Sequence, residues 1–453
     1  MRRRRLLAIS GALLAGAVAG CAGASDQPNP NEAENPSNGV PVERPERAPA
    51  TALTSLDNAA LETLVAQTNG FTIDLHRQLL ADRGDENVFS SPISASMAFA
   101  MTYAGARGET RQQLREAFRY PEEDLHATMG KLQSQLDKRG SENDTGGDTD
   151  DETEETPFQL SIANSVWGQK SYSFRQEYLD TLAEEYDTKL NKAEFIASYE
   201  DERERINGWV ADETDNTIEQ LLPQGALDSR TRLVLVNAIY FLANWTHAFP
   251  EEATTDKTFT TLDGTDREVP MMRLEREWAY AEHDGVQAVE LPYVGDDTAM
   301  LTVLPPTGGF EEYEQRLDAQ QLAGLIDELE PRSGTVRLPR FEFTTSVQLS
   351  DPLETLGVTD AFDPGQADLT GVANPEETEE DLYLKEAYHD AAVAVDEDGT
   401  KAAAATGSVI GETSAPANPF EFVADRPFLF VIRDRPTGTI LFLGRAVDPA
   451  GWA

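Results

Sequence analysis

The sequence has 453 residues, and 40% of them are hydrophobic, which is enough to bury a sizeable core. It carries 81 Asp and Glu against 37 Lys and Arg, a formal charge of -44, and only 8 of the basic residues are Lys. A surface this acidic repels a phosphate backbone, so we expect no nucleic-acid partner. In molar salt the screening length falls to about 3 Å, and such a charge then mainly keeps a protein hydrated. The composition is therefore typical of a halophilic organism.

The first 21 residues have the pattern of a targeting signal. Four arginines precede an uncharged apolar stretch at 6–20, shorter than the about 20 residues of a membrane span. RRRLL at 3–7 resembles a twin-arginine export signal, and VAGC at 18–21 resembles a lipobox, in which Cys21 becomes lipid-modified. Cys21 is the only cysteine, and the alternative is that it is a lone buried thiol. We expect an exported protein, lipid-anchored through Cys21 on the outer face of the cell membrane.

Two low-complexity segments divide the rest of the chain. Residues 22–57 are acidic and rich in Pro and Asn without an apolar period, which predicts a solvated, disordered tether. Residues of about 140–156 are almost wholly Asp, Glu, Thr, Gly and Ser, and predict an acidic surface insert, also disordered. Residues 58–450, which include this insert, are predicted to form one domain.

Apolar spacing predicts helices first and strands later. Helical spacing follows Leu61, and Ser91-Pro92 is a good helix start because Ser can cap and Pro suits the first turn. That helix is expected to end near Gly105. Residues 232–242 form an almost unbroken apolar run, typical of a strand buried on both faces. Five later segments, the last at 439–443, also predict strands, so the fold class is α+β.

A series of motifs, taken together and in order, resembles the serpin family of serine-protease inhibitors. They are NVFSSPIS at 87–94, VNAIYF at 236–241, LPRF at 338–341, DLTG at 368–371, EDGTKAAAA at 397–405 and RPF at 426–428. With the composition, the resemblance is to an archaeal-type exported serpin. It implies three β-sheets with a large central one, eight or nine helices, and an exposed reactive-centre loop at about 397–426.

The resemblance also implies a function. A protease attacks the loop, and the cut loop enters the large sheet as a new strand, which traps the enzyme as a covalent acyl complex; serpin loop insertion is itself a known example of strand addition and release of stored strain. The loop hinge would comprise Glu397, Gly399, Thr400, Ala402, Ala403, Ala404 and Ala405. Counted from Thr400 as an inward-facing residue, alternate residues are small or apolar and could enter a sheet. Composition alone also fits a flexible linker.

The cleaved bond follows from family spacing. Counting forward from Glu397 gives Thr413-Ser414, whereas counting back from Pro427 points near Pro416, a poor residue before a cleaved bond. We prefer Thr413. A small residue there favours subtilisin-like or elastase-like proteases as partners.

Polar residues interrupt several apolar runs. Ser91, Ser94, Asn237 and His389 match the family's shutter, and Trp245 matches its breach aromatic; the ordinary alternatives are a helix cap, a core amide and a loop histidine. The five histidines show no metal-ligand spacing, and no nucleophile elbow or phosphate loop occurs. We therefore expect a monomeric inhibitor without metal or cofactor, not an enzyme. The alternatives are a non-inhibitory serpin-fold binding or chaperone protein and a structural surface lipoprotein.

Overall fold

The structure is a computed structural model that describes residues 58–81, 83–142, 158–374, 382–400 and 418–449. Several predicted features lie outside the described residues. These are the signal with Cys21, the tether, the acidic insert beyond Glu142, the hinge residues Ala402, Ala403, Ala404 and Ala405, and the Thr413-Ser414 bond. Within the described ranges, no helix is both long enough and apolar enough to cross a membrane.

The described ranges contain nine α-helices. They are α1 (Asn58–Ala81), α2 (Pro92–Gly105), α3 (Gly108–Ala117), α4 (Leu125–Glu142), α5 (Gln176–Tyr186), α6 (Phe195–Glu213), α7 (Phe310–Arg316), α8 (Ala319–Asp327) and α9 (Ser350–Thr355). Helix α2 begins at Pro92 as the sequence predicts, but the side chain of Ser91 does not cap it. Its hydroxyl donates to the carbonyl of Leu441 instead, so the expected helix cap is wrong.

The strands follow the same chain order. They are β1 (Val88–Ser90), β2 (Phe158–Gln169), β3 (Leu190–Ala193), β4 (Leu233–Asn244), β5 (Thr255–Thr260), β6 (Asp266–His283), β7 (Val286–Pro292), β8 (Thr298–Leu304), β9 (Glu330–Pro339), β10 (Phe341–Gln348), β11 (Tyr388–Val395), β12 (Gly399–Thr400), β13 (Phe420–Val423), β14 (Phe428–Asp434) and β15 (Thr439–Ala446).

These strands form two hydrogen-bonded sheets within the described residues. The six-stranded sheet has the order β10-β11-β12-β4-β2-β3. The nine-stranded sheet has the order β1-β15-β14-β8-β7-β6-β9-β13, with β5 also paired to β6. The resemblance implies three sheets, whereas the described strands form two hydrogen-bonded sheets. The reason is that the long strand β6 pairs with β5, β7 and β9 and so joins strands that would otherwise form separate sheets. The α+β class is confirmed.

The six-stranded sheet is covered on both faces, as the apolar run of β4 predicts. One face joins the main core with α2 and β15, to which Phe89, Phe99 and Phe442 contribute buried rings. The other face packs on α6 through a separate apolar cluster that includes Ile206, Val210 and Ala238. Burial on both faces removes water from polar groups inside this sheet, so each of them needs a partner.

Candidate functional site

The candidate site is the junction between β11 and β4, which we call the slot. At one end β11 pairs directly with β4 in parallel, over Tyr388–Asp390 against Val236–Ala238. At the other end β12 lies between them, with Thr400 opposite Val395 on β11 and Ala243 on β4. The chain thus turns at the end of β11 and starts a new central strand, of which the described residues include Gly399 and Thr400.

The turn that feeds β12 depends on Gly399. The amide of Asp396 donates to the carbonyl of Gly399 over 2.9 Å, and the Asp396 carboxylate accepts the amides of Asp398 and Gly399. A Cβ on Gly399 would lie 2.1 Å from the carbonyl oxygen of Ala243. Only glycine permits this approach, so packing requires a glycine at this predicted hinge position.

Aromatic side chains surround Thr400, the second residue of β12. The hydroxyls of Thr400 and Tyr293 lie 2.7 Å apart and are buried, and burial raises the pKa of Tyr293. The Trp245 ring stacks on Tyr293 with centroids 4.5 Å apart, and its indole N–H donates to the carbonyl of Asp396 over 3.0 Å. Trp245, which the resemblance implies as the breach aromatic, therefore lies at the end of the slot that contains β12, whereas Tyr293 was not among the predicted site residues.

Glu397 is fixed by a buried ion pair. Its carboxylate lies 2.6 Å from Nε of Arg340 and also accepts the Thr254 hydroxyl, and its side chain is 5% exposed against 27% for Arg340. The neighbouring Glu397 carboxylate raises the pKa of Arg340. The carbonyl of Glu397 accepts the amide of Phe249 over 2.8 Å.

The hinge therefore begins inside the sheet. Glu397 and Thr400 are 4% and 2% exposed. At the other end of the expected loop, β13 pairs in parallel with β9 and Phe420 stacks on Tyr280 at 3.8 Å. The expected exposed loop of about 397–426 is thus too long at both ends, because both ends are bound in sheets.

The four predicted shutter residues meet at the paired end of the slot. Nε2 of His389 accepts the backbone amide of Ser91 over 3.0 Å. The imidazole proton must then lie on Nδ1, which donates to Oδ1 of Asn237 over 2.7 Å. Burial lowers the pKa of His389 to about 4, so the ring is neutral at pH 7.

Asn237 extends the same network. Its amide nitrogen donates to the Ser94 hydroxyl over 2.5 Å and to Oδ1 of Asn164 over 2.6 Å. Asn164 lies on β2 directly opposite Asn237. Asn164 was not among the predicted site residues; its only signal in the sequence is an amide within an alternating strand. The network links β11, β4, β2 and α2, and no group of Asp, Glu, His or Cys suited to a metal occurs among the described residues.

Comparison with known proteins identifies the family. A family model described as serpin (serine protease inhibitor) matches residues 66–449. The chain belongs to the serpin family. A serpin-like protein of Thermococcus kodakarensis is 35% identical over 95% of this chain and 96% of its own length. The leukocyte elastase inhibitor of Bos taurus is 37% identical over 86% of this chain and 100% of its own.

The solved structures agree with the fold. Uncleaved ovalbumin aligns with a TM-score of 0.74 and 28% identity, over 85% of this serpin and 100% of ovalbumin. The fold is therefore the serpin fold, and its relatives include protease inhibitors. In this serpin the hydrogen-bonded network of His389 and Asn237 lies at the closed end of the slot, and Trp245 lies at the end that β12 has entered.

Proposed function

We propose that this serpin inhibits serine proteases by inserting its cut loop into the slot between β11 and β4. The observation that carries the proposal is β12, since Gly399–Thr400 already pairs with both neighbouring strands. Continuing that strand requires that the short parallel pairing of β11 with β4 separate and that the hydrogen bond between His389 and Asn237 break. Alternating small residues beyond Thr400 suit such an extension.

The chemistry is that of a stalled acyl-enzyme. The protease serine Oγ attacks the Thr413 carbonyl carbon, and the bond to the Ser414 nitrogen breaks as that amine takes a proton. The ester then remains on Thr413. Insertion of about 12 residues at about 3.3 Å each carries the attached protease roughly 40 Å. Small misplacements of catalytic groups are enough to stop deacylation by water.

The target class follows from Thr413. A small residue before the cleaved bond suits subtilisin-like or elastase-like proteases, and a relative named leukocyte elastase inhibitor supports the second of these. The proposed location is the outer face of the cell membrane of a halophilic organism, with twin-arginine export and lipid on Cys21. The inhibitor acts there as a monomer. Mass spectrometry of the membrane-extracted N-terminal peptide tests the lipid directly.

A second candidate is a serpin-fold binding or chaperone protein that never inhibits. The fold is as similar to uncleaved ovalbumin as to other serpins, so fold likeness does not separate the two functions. The hinge composition favours inhibition, because Pro and bulky charged residues are typical of non-inhibitory hinges and 402–405 has neither.

The decisive assay mixes the protein with a subtilisin-like protease in high salt and looks for a complex that survives denaturant and electrophoresis. A Thr400→Arg variant is the control, since its charge cannot occupy the buried position beside Tyr293. We expect a stable complex with the wild type and simple cleavage of the variant. Cleavage of both without a complex would exclude the inhibitor and leave the second candidate.

A further inference from the structure

Strand β11 carries two consecutive buried titratable residues where it pairs with β4. His389 is 0% exposed and lies opposite Asn237, while Asp390 is 8% exposed and lies opposite Ala238. Because side chains alternate along a strand, the two point to opposite faces of the sheet. Folding of β11 into the sheet therefore buries one basic group on one face and one acidic group on the other.

The face of His389 holds neutral groups. They come from the Ser91 amide before α2, the Asn237 amide on β4, the Ser94 hydroxyl on α2 and the apolar residue Val347 on β10. Among the described residues, no Asp, Glu, Lys or Arg forms a hydrogen bond or ion pair with this network. Since Nε2 faces an N–H donor, a second ring proton would have no acceptor there.

Asp390 forms no ion pair with Lys, Arg or His among the described residues. Ser346 on β10 lies opposite Asp390 and is its hydrogen-bonding side chain, while Ala238 and the α6 cluster supply apolar surface. The guanidinium of Arg83 donates to the backbone carbonyl of Ser346 over 2.6 Å. The acidic groups on this side are Glu342, four residues along β10, and Asp215 after α6, which acts on Tyr240 of β4. Burial is therefore the main reason that a carboxylate at Asp390 is disfavoured.

We propose that His389 and Asp390 form a compensating pair that makes the folding of β11 into the sheet independent of pH in mildly acidic solution. When folding buries the two side chains between pH 4 and 6, the imidazole releases one proton to solvent and the carboxylate takes one from solvent, so the number of bound protons is unchanged. Its relevance to inhibition rests on the proposed function, because loop insertion must open the pairing of β11 with β4.

The pKa shifts of His389 and Asp390 determine how each residue's contribution to stability changes with pH. Burial lowers the pKa of His389 from 6.5 to about 4, so its contribution to the stability of the folded form is present above pH 6.5 and is lost as pH falls to 4. Burial raises the pKa of Asp390 from 3.8 to about 6, so its contribution is present below pH 3.8 and is lost as pH rises to 6. Acting alone, the shift at His389 would change the folding equilibrium constant by at most about 300-fold, and the shift at Asp390 by at most about 150-fold. Together they oppose each other across pH 4 to 6.

The test compares unfolding equilibria of the wild type, Asp390→Asn, His389→Gln and the double variant at several pH values from 4 to 7. Differences from the wild type cancel the other titrating groups. We expect Asp390→Asn to gain stability relative to the wild type as pH rises, by tenfold or more between pH 4 and 7. His389→Gln should lose stability relative to the wild type over the same rise, and the difference for the double variant should stay constant.

Two further measurements keep the test decisive. If His389→Gln does not fold, the His389 ring proton signals of the wild type should show no titration between pH 7 and 5; a midpoint near 6.5 would overturn the proposal. Because both shifts come from burial, the difference curves should persist at both low and molar salt. A pH-independent difference for Asp390→Asn would also overturn it. None of these readouts uses a protease, so failure of inhibition and failure of the compensating pair are separately visible.

Discussion

The imidazole of His389 donates from Nδ1 to Oδ1 of Asn237 over 2.7 Å and so ties β11 to β4 at the closed end of the slot. A strand inserted between them must break this bond. The bond therefore stabilises the form in which the loop has not inserted.

Asn237→Ala should weaken that form. It leaves the imidazole N–H, Ser94 and Asn164 without a shared partner in a buried site, which costs about 1–3 kcal/mol. We expect a lower urea midpoint at pH 7 and faster spontaneous conversion to an inserted form. Gln112→Ala is the control, because Gln112 makes an exposed hydrogen bond to Glu116 and its loss should change stability by less than about 0.5 kcal/mol. Equal effects of the two substitutions would contradict the assigned role.

Gly399→Ala should expel β12 from the sheet, since the new methyl group would meet the Ala243 carbonyl. The expected result is faster hydrogen exchange in peptides covering residues 238–245 and 396–400. Gly208 on α6 is the matched control, because a Cβ there meets nothing within 4 Å. Gly208→Ala should leave exchange unchanged and stabilise the helix by about 0.5–1 kcal/mol. Unchanged exchange in the Gly399 variant would refute the pairing of β12.

Arg340→Gln should destabilise the breach by leaving the Glu397 carboxylate buried and unpaired. Loss of one partner of a buried ion pair lowers the free energy of unfolding by about 3–5 kcal/mol. Because Arg340 is partly exposed, we expect a smaller loss of about 2–3 kcal/mol here. Arg337→Gln breaks the exposed pair with Glu421 and should cost less than about 1 kcal/mol. Thermal unfolding compares them. Adding Glu397→Gln to the first variant should recover part of the loss, and no recovery would argue against the ion pair.

The two ladders of β12 also predict where each loop residue goes. Continuing the register by six residues from Thr400 places Thr406 opposite His389 on β11 and opposite Asn237 on β4. A hydroxyl there can accept from the imidazole and donate to the amide, so it can replace the broken bond. Thr406→Arg should convert the inhibitor into a substrate, whereas Lys401→Arg, on the opposite parity, should not. Substrate kinetics and complex yield distinguish the two, and normal complex yield from Thr406→Arg would exclude this register.

Residues whose type is unusual for their surroundings could be selected from the sequence. Asn237 interrupts an apolar run and His389 precedes a small apolar strand, and family motifs around them suggested that they act together. The roles of Asn164, Tyr293 and Arg340 could not be predicted, because they depend on strand register and on contacts between distant segments. Arg340 follows β9 directly, yet its partner Glu397 lies beyond β10 and β11 along the chain.

Contacts between distant segments also explain the expectations that were wrong. Serine is a residue type that often caps helices, but β15 brings the Leu441 carbonyl within 2.7 Å of the Ser91 hydroxyl. Gly399 and Thr400 have the composition of a flexible loop, but a partner strand on each side buries them. In each case a neighbour from a distant part of the chain decides the environment.

The central claim is that residues after Thr400 are more stable between β11 and β4 than outside the sheet. Cutting the loop between β12 and β13 with a small amount of protease, then measuring the melting temperature of nicked and intact protein in high salt, tests it most directly. We expect the nicked protein to melt well above the intact protein. Melting at the same or a lower temperature would contradict the claim.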